Sequence, residues 1–293
     1  MSPDLHNDPD LFKASLSFTA EQTGFAPSLI EKDYLCSVLL GYLSLSSDAS
    51  LIFKGGTCLA KVYFDFNRLS EDLDFIISTP VDAKRKERST RIAACKKALS
   101  DLPKAQGVFR VKDPLEGRNE SRQYLATIAY TSFIDGHEDT IKLKVGLREP
   151  LLIPPADGEA TTILRNAANP DKPIALIPCK CLSFEEMMAE KFRAALSRKD
   201  IAVRDFYDVD YAVLHKGLKT DATSFIEMVR KKLSIPENHP ANTSDDRLAQ
   251  LRAQLEARLK PVLRAADYEA FDLDRAIGIV KKVHRQLQDT GCT

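Results

Sequence analysis

Two aspartates one residue apart, Asp72 and Asp74, open a run of β-forming residues. Alternate residues of a strand point to the same face, so both carboxylates project together. That geometry suits Mg²⁺, which takes oxygen ligands, commonly one or two carboxylates, and completes its octahedron with water and substrate phosphate. Read alone, the pair is more often the solvated beginning of a strand. Its weight rises with Lys54-Gly55-Gly56-Thr57 upstream, because a glycine turn ahead of a helix lets backbone N–H groups approach a phosphate at the helix's positive end. Arg68 and Ser70 lie just before the acids. A guanidinium and a hydroxyl can reach the same phosphates from there; the other reading makes both ordinary loop residues, with Arg68 paired to a nearby acid.

A second cluster comes later in the chain. Phe184, Met187, Met188 and Phe192 form an apolar helical stripe, and Lys191 falls inside it. A lysine there either snorkels its stem to solvent or turns its ammonium towards carboxylates or phosphates. In Arg204-Asp205-Phe-Tyr-Asp208, the two acids share one helix face and Arg204 can pair with Asp208 at i, i+4. A surface ion-pair network is one reading; the other has Asp205 orienting Lys191 or a substrate group.

The elements that must position these residues follow from periodicity. A capping box at Ser28-Leu-Ile-Glu31 starts an amphipathic helix carrying Ile30, Tyr34, Leu35, Val38 and Tyr42. Residues 51–53 read as a strand running into the glycine turn, and Leu59, Val62, Tyr63 and Phe66 as one face of the helix after it. Residues 73–77 form the strand that carries the acids, and 84–97 a charged, solvent-facing helix. Residues 124–133 and 140–147 form a hairpin about Asp135-Gly136. The proline-rich stretch 150–178 reads as an irregular connection. Beyond it the pattern is helical throughout: 183–198, which opens on a second capping box at Ser183 and Glu186, then 201–215, 222–233, 245–265 and 272–288. The expected organisation is α/β (α+β), with domain 1–178 built on a mixed sheet and an α-helical domain 179–293 that brings Lys191 and Asp205 to the cleft.

The 293 residues carry 42 Lys plus Arg against 42 Asp plus Glu, so nothing global draws the chain to nucleic acid or membrane. Any polyanion must meet a local basic surface, for which Arg193, Arg198, Lys199 and Arg230 to Lys232 are candidates. At 44% hydrophobic and 29% charged the composition is that of a globular protein. Six cysteines without C-x-x-C spacing, no signal segment and no apolar run of about 20 residues fit a reducing cytoplasm, with no membrane or DNA partner expected.

Four blocks in order, Phe53-Lys-Gly-Gly-Thr57, Arg68-Leu-Ser-Glu-Asp-Leu-Asp-Phe75, Glu190-Lys-Phe-Arg-Ala194 and Arg204-Asp-Phe-Tyr-Asp208, together with Glu31-Lys-Asp-Tyr34, resemble the AbiEii/AbiGii-type toxin family. The resemblance implies a nucleotidyltransferase-like fold, dependence on Mg²⁺ and a nucleoside triphosphate, and a role as the toxin of a toxin–antitoxin pair in phage defence or growth control. Its acceptor would be a hydroxyl, that of a tRNA 3′ end or other RNA among them, and a protein antitoxin its partner. Carried over by residue, Gly55, Gly56 and Thr57 would embrace the triphosphate, Ser70 and Asp72 would be essential, Asp74 would complete the metal site, and Lys191 and Asp205 match later essential positions; Lys54, Arg68 and Lys142 are read beside them as nucleotide-binding candidates. One departure stands out. Many nucleotidyltransferases supply a third carboxylate from a later strand, and Ile141-Lys-Leu-Lys-Val145 has lysine at that place. Lys142 or Lys144 suits phosphate, but the base is left unassigned, with Asp205 as a substitute. Two other readings remain: a small-molecule or protein acceptor, and an inactive nucleotide-binding module that works through a protein partner.

Overall fold

The computed structural model describes residues 3–46, 50–172 and 174–289, which form two compact units, Met1–Leu182 and Ser183–Thr293. In the first unit, α1 (Pro9–Thr23) begins where the Asp8 carboxylate accepts from the Leu11 amide at 3.1 Å and stops at Gly24, whose φ of 76° is left-handed. The polar opening of the sequence hides this helix, and only Phe12 and Leu16, both buried, betray a packed face. Helix α2 (Pro27–Ser46) is buried nearly all round from Ile30 to Leu43, as a helix in the middle of a fold must be. It starts on Pro27, whose missing N–H costs nothing at a helix start. The expected capping box is therefore corrected: the Glu31 carboxylate instead accepts from the Phe133 amide at 2.6 Å and the Ser132 hydroxyl at 2.8 Å.

Seven strands form one mixed sheet: β1 (Ile52–Lys54), β2 (Asp72–Ile76), β3 (Phe109–Arg118), β4 (Gln123–Thr131), β5 (Glu138–Gly146), β6 (Ala156–Ala160) and β7 (Ile177–Cys181), in the order β3-β4-β5-β2-β1-β7-β6. β2 runs antiparallel to β1 and parallel to β5, so it is central and hydrogen-bonded on both sides. The hairpin β4–β5 is as expected, with Gly136 at φ 75° in its turn. Strands β6 and β7 overturn the reading of 150–178 as irregular. Ala156-Asp-Gly-Glu-Ala160 carries no β-propensity of its own, and pairing with β7, itself parallel to β1, is what makes it a strand. β3 likewise escaped notice, since two bulges interrupt its alternation.

Between β1 and β2 the chain forms α3 (Gly55–Cys58) and a π-helical turn, Leu59–Tyr63. The helix expected over 84–97 is two, α4 (Arg85–Arg91) and α5 (Ala93–Ala105), and it is not wholly solvent-facing: Arg88 is buried, donating to the carbonyls of Leu147 and Val81 at 3.1 Å each. Helix α2 packs on β7 and β2, and α5 on β3 and α2.

The second unit is helical: α6 (Phe184–Ser197), α7 (Val203–Lys216), α8 (Thr223–Leu233), α9 (Asp245–Arg252), α10 (Ala265–Ala270) and α11 (Leu273–Asp289). Ser183 caps α6 by accepting from the Glu186 amide at 3.3 Å, while the Glu186 side chain turns inward to Lys232 at 2.7 Å. The single helix expected over 245–265 breaks after α9 into a π turn, Leu255–Leu259, and a short 3-10 turn at Lys260–Val262, where Pro261 has no N–H to give to a continuing α-helix. Among the described residues no helix is long and apolar enough to cross a membrane. Cys36, Cys58, Cys95, Cys179 and Cys181 are free thiols; Cys292 lies outside the described residues.

Candidate active site

Three neighbouring strands build one charged face. In register, Asp74 stands between Lys54 of β1 and Lys144 of β5, and Asp72 beside Lys142. Residues paired in register and those two apart share a face, so Lys54, Asp72, Asp74, Lys142 and Lys144 project together. The alternate positions Leu73 and Phe75 are buried on the other side, where the Phe75 ring lies 5.5 Å from that of Phe53. Alternation thus orients the acids, and apolar burial holds the strand that carries them.

The glycine turn is fastened to this strand. Gly55 adopts φ 82°, a conformation costly for any other residue, and a Cβ there would lie 2.6 Å from Asp74 Oδ2. The turn thus approaches the carboxylate as closely as a bare backbone allows. A Cβ on Gly56 would overlap the guanidinium of Arg68, which is buried and donates to the Leu69 carbonyl at 3.2 Å. Arg68 therefore supports the turn from within rather than standing open to solvent. The buried Thr57 hydroxyl donates to the Asp72 backbone carbonyl, tying the first turn of α3 to β2. Ser70 is half-exposed just before β2.

Of the two β5 lysines, Lys144 is the one on the acids. Its Nζ lies 2.5 Å from Asp72 Oδ2 and 4.0 Å from Asp74 Oδ1, with the three side chains 34%, 35% and 30% exposed. Lys142 is exposed beside them. The sequence places both lysines on the right face; only the register and rotamers distinguish them. Among the described residues no group of three or more His, Cys, Asp or Glu is placed to hold a metal ion. The donor set is therefore two carboxylates, which fits Mg²⁺ when water and phosphate supply its remaining ligands.

In the second unit Lys191 does not snorkel. Its Nζ sits 2.8 Å from both Asp205 Oδ1 and Asp208 Oδ2, and Arg198 reaches Asp205 Oδ2 at 3.1 Å. Burial opposes ionisation of Asp205, yet Lys191 and Arg198 outweigh it and hold its carboxyl below the usual carboxylate range. A carboxylate so held is a poor proton acceptor at neutral pH. Asp205 acts here as an anchor for Lys191.

A mixed sheet that presents paired carboxylates against a glycine turn opening a helix is the arrangement of a nucleotidyltransferase. Residues 38–276 match the family model described as "Nucleotidyl transferase AbiEii toxin, Type IV TA system", and the chain belongs to that family. Two solved Helicobacter pylori structures share the fold. The JHP933 protein is 15% identical with a TM-score of 0.53, the match covering 91% of this chain and 96% of that one. A protein provisionally described as a nucleotidyltransferase is 14% identical with a TM-score of 0.53, covering 91% of this chain and 99% of that one. A comparison with curated proteins gave no match.

Proposed function

We propose that this nucleotidyltransferase moves a nucleoside monophosphate from an NTP to an acceptor hydroxyl in a Mg²⁺-dependent reaction, with RNA as the acceptor class, and that it acts as a toxin restrained by an antitoxin. The observation that carries the reading is the approach of Gly55 to Asp74, which sets a backbone able to meet phosphate against a carboxylate pair able to hold a metal. Asp72 and Asp74 would hold Mg²⁺, which supplies neutralisation of charge on the phosphate oxygens. The amides of Gly55, Gly56 and Thr57, at the start of α3, bind the triphosphate, and Lys54, Lys142 and Lys144 add point charges along it. Thr57 and Arg68 keep the turn in place, as their hydrogen bonds support.

The acceptor oxygen attacks the α-phosphorus in line with the α–β anhydride bond, which breaks as pyrophosphate leaves towards the turn. Positioning and electrostatics, rather than a covalent intermediate, lower the barrier. β5 places lysine rather than a carboxylate beside Asp72 and Asp74, so the hydroxyl's proton passes to water. Ser70 orients a phosphate oxygen from the loop before β2, while Lys191, held by Asp205 and Asp208, is a fixed ion-paired group within the second unit.

The test is direct: the purified chain is incubated with Mg²⁺, each labelled NTP and total cellular RNA. Label enters RNA with the native chain, and Asp72→Asn lowers the rate by at least about 10²-fold while its circular dichroism and melting stay native. Transfer retained by folded Asp72→Asn would refute the assignment. Label appearing in protein or in a small molecule would move the acceptor to that class, and tight NTP binding with no product would make the protein a binding module.

A further inference from the structure

The strand next to the carboxylates carries lysine where a third acid is expected, and that lysine is engaged. The Lys144 ammonium rests 2.5 Å from Asp72 Oδ2 and 4.0 Å from Asp74 Oδ1, so one cation serves both members of the pair. An ammonium on those oxygens competes with any metal for the same lone pairs, and its charge repels a divalent ion at close range. All three side chains are about a third exposed, so exchanging one partner for another carries little desolvation cost. Lysine, a point charge on a flexible four-carbon stem, can leave a carboxylate for a phosphate without movement of the backbone.

We infer that Lys144 is a resident stand-in for the metal: it offsets part of the carboxylate pair's charge before nucleotide binds and makes divalent-cation binding conditional on a polyphosphate, which receives the displaced ammonium. The inference rests on the nucleotide-pocket reading above and adds an order of events to it. Metal and nucleotide enter together, and the metal alone is held weakly. Lys142, exposed at the neighbouring register position, does not bridge the pair in this way and is not the gate.

Manganese binding by the full chain, followed without nucleotide from the loss of the free-ion paramagnetic resonance signal, tests the claim apart from activity. Lys144→Gln is expected to bind manganese about tenfold tighter than the native chain, the size of effect one removed neighbouring charge gives at a half-exposed site. Lys144→Arg, which keeps the charge, stays near native, and adding Asp72→Asn to Lys144→Gln abolishes the gain. With a non-cleavable α,β-methylene NTP analogue present, the ranking reverses: native chain binds metal and analogue together more tightly than Lys144→Gln. Equal manganese affinity in the native chain and Lys144→Gln would overturn the role of Lys144 while leaving the pocket assignment intact. Analogue binding that is indifferent both to manganese and to Asp72→Asn would instead overturn the pocket assignment, whatever manganese does alone.

Discussion

Two lysine–aspartate pairs in the same unit, both 2.5 Å apart, do opposite work. Lys61 and Asp33 have side chains 0% and 3% exposed. Around them nearly every polar atom is answered: Lys61 also donates to the Ser37 hydroxyl at 2.8 Å and the Thr161 carbonyl at 3.2 Å, and Asp33 accepts from the Thr162 hydroxyl at 2.9 Å and the Ile163 amide at 3.1 Å. This pair fastens α2 to the π turn after the glycine bend and to the segment beyond β6. Lys144 and Asp72, by contrast, lie on an open strand face a third exposed. Equal distance thus says nothing about role. A fully hydrogen-bonded pair out of water is a fixed joint, because removing either partner strands a buried charge. A pair that water can reach is replaceable, and replaceability is what a metal and phosphate site requires.

The sharpest way to break this comparison is to truncate one member of each pair. Asp33→Ala should cost about 3–5 kcal/mol in urea unfolding, because it leaves Lys61 buried without its counter-ion, whereas Lys144→Gln should change stability by no more than about 1 kcal/mol. Similar losses from both would show that exposure does not separate them. Next in size, Gly55→Ala should cost about 1–2 kcal/mol for its left-handed backbone and also displace Asp74, so that nucleotide-dependent manganese binding weakens in the same variant. Native manganese binding in folded Gly55→Ala would detach the turn from the carboxylates.

The smallest effect lies beside the buried pair. His6 Nδ1 meets the Tyr34 hydroxyl at 2.8 Å, next along the chain from Asp33, and burial holds the imidazole below its ordinary value of 6.5 despite the nearby Asp4. A depressed value means that the folded state prefers the neutral ring. Its contribution is complete above pH 6.5 and is lost as pH falls through the folded value. Melting temperatures at about pH 7.5 and about pH 5.5 should therefore diverge more for the native chain than for His6→Gln, by less than about 1 kcal/mol in stability. An identical pH dependence in the two would remove His6 from the buried side of the comparison.

The run Glu31-Lys-Asp-Tyr34 shows how legibility varied. Sequence marked it as part of a helix and of a family pattern, and Tyr34 as a core position. What the four side chains hold was hidden: Glu31 takes the hairpin turn after β4, Lys32 reaches Glu71 at 3.0 Å and Asp139 at 3.2 Å, Asp33 takes Lys61, and Tyr34 takes His6. Each partner is remote in sequence, so no local pattern predicts it. The same limit explains the site. Asp72, Asp74 and the glycine turn were readable because alternation and glycine's backbone freedom are local properties. The choice of Lys144 over Lys142, the burial of Arg68 and the use of the Thr57 hydroxyl on a backbone carbonyl all depend on which strand lies beside β2 and in what register.

Sequence by itself settled the chemistry on offer: two acids on one face, a glycine bend before a helix, lysines on a later strand and a helical second half, each fixed by the period of its own backbone. Tertiary structure decided which cation meets which acid, made strands of segments with no strand propensity, and drew Lys191 onto Asp205 and Asp208. The division is physical. Side-chain direction within an element repeats every two or 3.6 residues and is written locally, whereas ion pairing and strand register depend on distances between segments far apart in the chain, which only packing sets.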